Sequence, residues 1–304
     1  MSNEARREDG STPNPAPYSF GGEWSPSAVE IERRIARKKQ VRRKALIAAI
    51  SSILVLGTLA TIVITSPGWK VLSATFFHWS YGFQVLPKIL LGFFESNLIL
   101  TLIASVSVAF FGLVIALIRT SRSAALTPFR ILATIYVDLF RGIPMLLVIF
   151  LVGFGIPALQ LKGVTNNVFI LGIIAVIITY SAYVAEVIRS GILTVHPSQR
   201  AAARSLGLSN FQTLRHVVLP QAIRRVTPPL LNDLVALIKD TGLVSILGVT
   251  DAIRAAQIEA SRTFNYTPYV MAAIIFLCVT IPLTRFTDRT LRKSIERQNA
   301  QGQA

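Results

Sequence analysis

The chain has 304 residues, 52% of them hydrophobic and only 15% charged, where a soluble domain is about a quarter charged. Long apolar runs account for the deficit, so the solvent to consider is the bilayer. The formal net charge of +16 argues little for nucleic acid, because most Lys and Arg flank apolar runs, where they orient a membrane protein and meet anionic head groups.

Residues 1–44 read as a disordered, basic cytoplasmic tail. "STPNPAPYSFGGEWSP" is rich in Pro, Gly and Ser, and such a stretch buries too little apolar surface to fold. "IERRIARKKQVRRK" then sets a dense basic cluster directly before the first apolar run. That basic region is too long for a secretory signal, and no small-residue cleavage site follows, so 45–65 is expected to remain as a span.

Six apolar segments approach the 20 or so residues that cross a bilayer as helix: 45–64, 89–118, 129–156, 168–188, 230–249 and 269–286. The fifth is the weakest, interrupted by Asp233, Lys239 and Asp240. All are expected to be helices, since an open strand in lipid leaves its backbone unsatisfied. Arginines gather between the second and third spans, between the fourth and fifth, and after the sixth. The positive-inside rule therefore places both termini in the cytoplasm and 66–88, with Trp69, Trp79 and Tyr81, outside. On the second span Thr101, Ser105, Ala109, Gly112 and Ala116 are expected to form a small-residue packing face. Cys278, the only cysteine, excludes an intrachain disulfide or a cysteine metal site and reads as a small buried apolar residue.

The polar stretch at 194–220 has its own internal pattern. Pro197 suits a first helical turn, with His196 or Thr194 as cap. "SQRAAARSL" favours helix, and Gly207 stands where a left-handed C-terminal cap belongs. Ser209 opens "SNFQ", a capping box with Gln212. A second short helix is expected to run to Val218 and stop before Pro220. Leu208, Phe211 and Leu214 would be apolar knobs on this helix–turn–helix. By physics alone it suits either the head groups or a groove in a cytoplasmic partner.

"QRAAARSLGLSNFQTLRHVVLPQAIRRVTPP" also resembles the cytoplasmic signature loop of ABC-importer permeases. Gln199 opens this match, Ala202, Ala203, Gly207, Leu219 and Pro220 stand at matching positions, and Ala201 replaces the usual glutamate. "ALIRTS", "YVDLFRGIPMLLVIF", "AYVAEVIRSGI" and "LNDLVALIKDTGLVSILGV" resemble the polar-amino-acid branch in the same order, with Gly242 at a common serine. The resemblance implies a permease core over 89–292, with the first span an addition. It implies that loop 194–220 meets a cytoplasmic ABC ATPase dimer, which binds the ATP and Mg. A second permease subunit, alike or different, and an external solute-binding protein complete the implied importer. No cofactor is expected in this chain.

Ionisable residues inside spans are functional candidates by default. Asp138 and Arg141, and again Glu186 and Arg189, have the i, i+3 spacing of an ion pair. Gly142 and Pro144 suggest a kink beside the first pair. Lys239 and Asp240 point about 100° apart on a helix and need separate partners. Near the middle of the fifth span they are candidates for the path of a zwitterionic substrate. No P-loop, H-E-x-x-H or G-x-S-x-G occurs, so no catalytic residue is assigned and the chain reads as no enzyme. The expected class is an all-α polytopic membrane protein. An ion-gradient-driven transporter or channel, and a membrane anchor, are the competing functions.

Overall fold

The computed structural model describes residues 28–121 and 123–302. The predicted tail falls mostly outside these, but its basic cluster is helical. Helix α1 (Ala28–Ile64) runs from the cluster through the first apolar run. It stands as a unit by itself, exposed along its apolar stretch, as a helix meant for lipid contact must be.

The second unit contains α2 (Trp69–Phe76), α3 (Trp79–Gly92), α4 (Ile99–Thr120), α5 (Thr127–Gly142), α6 (Met145–Phe150), the single turn α7 (Ile156–Ala158), α8 (Val168–Leu193), α9 (Pro197–Ser205), α10 (Asn210–Thr213), α11 (Leu219–Asp240), α12 (Ala252–Thr263) and α13 (Thr267–Gly302). No strand occurs among the described residues. Residues 66–88, expected as a loop, are largely helical in α2 and α3. Helix α3 passes through a π-helical turn, Phe93–Leu98, into α4.

By length and apolarity four helices among the described residues can cross a membrane, or five when one bent pair counts as a single span. That pair is the third expected span. Helix α5 ends at Gly142, and the chain turns by 108° into α6. Ile143 is extended there (φ −95°, ψ 133°) because the ring of Pro144 disfavours helical backbone in the residue before it. The fifth expected span belongs to a longer helical path from Asn210 to Leu247, closed by a 3₁₀ segment, Thr241–Leu247. Its polar residues keep it outside the apolar set.

Helix α8 is the centre, with 61% of its most apolar window buried. Ala175, Val176, Tyr180, Val184 and Ile192 join one core with Leu100, Ala104 and Val108 of α4, Val148 and Ile149 of α6, and Leu237 of α11. Close approach depends on glycine at Gly112, where an added β-carbon would lie 2.6 Å from Val184 Cγ1. The face of α4 that buries is Thr101, Ala104, Val108, Gly112 and Ala116. The expected face is corrected at two positions. Ser105 is half-buried and Ala109 exposed, because the packing stripe is the one that meets α8. A second core joins α3, α12 and α13 through Val85, Ile89, Phe93, Ala256, Met271 and Ile275. Cys278 is not buried but exposed on α13, beside Leu277 and Ile281, on a face that suits lipid.

One buried polar junction ties these parts. Asn97, only 1% exposed, sits in the π turn and donates to Thr241 Oγ1 and Asp251 Oδ2, both at 3.0 Å. Its own oxygen accepts from Ala252 N at 3.1 Å. A buried amide whose hydrogen-bonding groups are satisfied holds several segments in one geometry.

Candidate functional site

The 194–220 segment begins where α8 ends, and arginines fasten it there. Arg200 donates to Ile192 O at 2.5 Å and Arg225 to Thr194 O at 2.6 Å. The last carbonyls of a helix lack intrahelical partners and carry the negative end of its dipole, so cationic donors satisfy both needs. His196, rather than Thr194, caps α9: its Nδ1 accepts from Ser198 N at 3.2 Å. Pro197 occupies the first turn.

Helix α9 ends as the glycine predicts. Gly207 has φ +84°; its N–H donates to Arg204 O at 3.0 Å and that of Leu208 to Ala203 O at 3.2 Å. These are the paired bonds of a Schellman motif, which needs a left-handed residue after the cap. Arg204 Nη1 braces the turn by donating to Leu208 O at 3.1 Å. The capping box follows: Gln212 N donates to Ser209 Oγ at 3.2 Å, and Ser209 N to Gln212 Oε1 at 2.8 Å.

The second helix does not stop before Pro220. Helix α10 continues through a π turn, Leu214–Val218, into α11, with Leu219 and Pro220 in its first turn. Proline removes one N–H and crowds the preceding turn; the wider π turn lies directly ahead of it, where it accommodates the ring. The apolar knobs also differ from expectation. Leu214 packs partly buried against the main core and Leu208 is half-buried. The exposed pair is Phe211, at 68%, and Leu206, at 82%. Gln199, Ala201, Ala202 and Pro220 are exposed, Leu219 is half-buried, and Ala203 is buried as a root of the unit. Leu206 was not singled out from sequence, because its outward direction depends on where Ala203 is anchored.

Inside the bundle, Asp240 faces α8 and accepts from Tyr180 Oη at 2.7 Å. Lys239 is exposed, so the two neighbours diverge as helical geometry requires. Asp233, two turns earlier on α11, has a buried Oδ2 without a hydrogen-bond partner among the described residues. The Tyr183 ring lies 6.2 Å from that of Tyr180, tilted by 50°, and the Arg141 guanidinium lies 6.0 Å from the Tyr183 ring centre. Sequence reasoning missed Tyr180 and Tyr183; their i, i+3 spacing toward Glu186 on α8 was the available signal.

Of the two expected ion pairs, Glu186 and Arg189 are joined, with Arg189 Nε on Oε2 at 2.9 Å. Arg119 of α4 adds a bond to the same carboxylate at 2.6 Å. Asp138 and Arg141 make no ion pair with each other among the described residues; Asp138 instead lies close enough to Arg189 for their charges to attract.

A third polar group links α3 to α12. Lys88 Nζ bonds Glu259 Oε1 at 2.7 Å, and Arg262 lies 3.5 Å from the same oxygen. The Lys88 bond holds the Glu259 carboxyl below the usual carboxylate range, against the opposing effect of burial.

Residues 123–294 match the family described as binding-protein-dependent transport system inner membrane component. The chain is 35% identical over 222 residues to a putative glutamine transport system permease protein GlnP of Rickettsia bellii, covering 71% of this chain and 98% of that one. It is 31% identical over 208 residues to the arginine transport system permease protein ArtQ of Bacillus subtilis, covering 68% and 92%. Among solved structures, the crystal structure of an amino acid ABC transporter with histidines aligns with a TM-score of 0.61 and 33% identity, over 68% of this chain and 94% of that one. An inward-facing MetNI methionine ABC transporter aligns at 0.56 with 16% identity, over 68% and 96%, a likeness of fold alone. The matched region contains the glycine turn, the continuous α10–α11 helix and the central α8 described above. This chain is therefore a multi-pass membrane permease belonging to the family of binding-protein-dependent transport system inner membrane components.

Proposed function

We propose that this chain is the transmembrane subunit of an ATP-driven importer for a polar amino acid. In this reading an external solute-binding protein delivers the substrate, and the chain pairs with a second permease subunit, alike or different. Cytoplasmic ATPase subunits bind ATP and Mg and perform the hydrolysis; the chain itself holds no cofactor. Both termini lie in the cytoplasm, and α11 completes the sixth crossing.

The observation that carries the reading is the wiring of the 194–220 segment. It joins α8 to α11, the two helices that hold Tyr180, Asp233 and Asp240, and its exposed tips are Leu206 and Phe211. ATPase closure would push on those tips. Rigid short helices, with Arg200 and Arg225 fastened to the end of α8, would pass the displacement into the bundle. The two ligands then bias one two-state element, ATP from one end and substrate from within. Relatives named for glutamine and arginine support an amino-acid substrate. Asp240 offers a carboxylate for an ammonium group and Lys239 an ammonium for a carboxylate.

Vesicles containing this chain with its ATPase and binding protein test the proposal through labelled polar amino acids. ATP-dependent uptake is expected, and Gly207→Val is expected to abolish it while expression persists, because a β-branched side chain strains a left-handed turn. Uptake that follows an ion gradient without ATP would overturn the reading.

A further inference from the structure

Arg119 near the end of α4, Arg130 in the first turns of α5 and Arg189 near the end of α8 line one cavity with Ile131, Thr134 and Ile135. Its volume is about 350 Å³, within the range of small-molecule sites. It opens at the end of the bundle from which the 194–220 segment projects, because Arg189 lies one turn before that segment. Neither the coupling surface nor the Tyr180–Asp240 group uses it.

The cavity is rich in unspent donors. Arg119 and Arg189 bond Glu186, and Arg130 donates to Ser121 O at 3.0 Å and Thr127 Oγ1 at 3.3 Å. Each guanidinium carries five N–H donors, about fifteen in all, and these are five bonds among the described residues. Three positive charges face the carboxylate of Glu186 and the more distant one of Asp138, which leaves a positive remainder. A phosphate diester offers the negative charge and paired oxygens that guanidinium forks match.

The wall decides between sources of that phosphate. Ile131 and Ile135, one helical turn apart on α5, are 54% and 58% exposed, and Phe129 and Leu132 beside them are 58% and 63%. A free anion gains nothing from such a wall, whereas acyl chains bury it. Basic pockets between spans at a membrane face suit lipid head groups. We propose that the cavity between α4, α5 and α8 binds the phosphate of an anionic phospholipid, whose acyl chains lie along Ile131 and Ile135. The lipid then engages two arginines that hold Glu186 at the root of the 194–220 segment.

Native mass spectrometry of the full-length protein, released from micelles with equal phosphatidylglycerol and phosphatidylcholine, tests this. Phosphatidylglycerol is expected to be retained about tenfold over phosphatidylcholine, the scale of one charge-assisted hydrogen bond. Arg130→Glu is expected to lower that retention about tenfold, and Ile135→Asp to lower it too. Lys70→Glu, the same change of charge at an exposed position, should leave it unchanged. Equal retention of both lipids, equal loss in Lys70→Glu, or displacement of the lipid by millimolar inorganic phosphate would each overturn the proposal. Should Arg130→Glu fail to fold, the lipid preference of the unmodified chain and the phosphate competition decide it.

Discussion

Tyr180 shows what a single hydroxyl contributes in this bundle. Its bond to Asp240 joins α8 to α11 at 2.7 Å and holds the carboxylate in one direction. Hydrogen bonds to a charged group are worth about 1.5–3 kcal/mol, so Tyr180→Phe is expected to raise the KM for uptake about tenfold while ATP turnover stays the same. Loss of ATP turnover at unchanged KM would instead assign Tyr180 to coupling. The i, i+3 spacing of Tyr180 and Tyr183 toward Glu186 was a weak signal, because a tyrosine in an apolar run is common. Only the turn of α8 toward Asp240 separates Tyr180 from Tyr183, which is exposed. Lys239 and Asp240 were legible as a divergent pair for a simple reason: helical periodicity alone dictates their angle.

At the scale of elements, α8 carries glycines where the 3₁₀ segment and α11 approach it closely, at Gly172 and Gly191. An added β-carbon at Gly191 would lie 2.1 Å from Val226 Cγ1 of α11, beside the Arg225 clamp. Gly191→Ala is expected to destabilise by about 1–3 kcal/mol, the usual cost of overpacking. Adding Val226→Ala removes the clashing methyl and should restore most of the loss in a detergent melting experiment. A double variant no more stable than the single one would show that the contact is not the cause. The short helices of 194–220 were legible in detail because a glycine cap, a capping box and a first-turn proline act within four residues of chain. The passage through Pro220 was not. Proline chemistry argues for a stop, and only the π turn packed on the core allows the helix to continue.

At the scale of the bundle, two polar ties reinforce the packing, one between the two apolar cores and one within the second. Asn97 joins the π turn, the 3₁₀ segment and α12 through three hydrogen bonds; Lys88 and Glu259 join α3 to α12. The second tie carries a pH dependence. Because the folded value of Glu259 is depressed by Lys88, its stabilisation is fully present above the unfolded carboxylate value, near 4.3. It is lost as pH falls through the lower folded value. The melting temperature of Glu259→Gln is therefore expected to lie below that of the unmodified chain by a constant amount from pH 7 to about pH 5. The gap should narrow only at more acidic pH. A gap that widens on acidification would reverse the assigned sign.

Apolar runs, flanking charges and local turn chemistry depend on neighbours in sequence, so the sequence by itself determined the helical class, the place of most spans and the design of the 194–220 turn. The 108° bend after Gly142 was half legible: proline and glycine announced a break, but its angle depends on what α6 packs against. Ion-pair choice was not legible at all for Asp138 and Arg141, since spacing permits a pair without requiring it. Tertiary structure alone decided that Arg119 reaches Glu186 across 67 residues of chain, that Asp240 meets Tyr180, and that Leu206 rather than Leu214 faces outward. The first two join segments distant in sequence and the third follows from where the unit is anchored; all are selected by packing geometry, which no local pattern encodes.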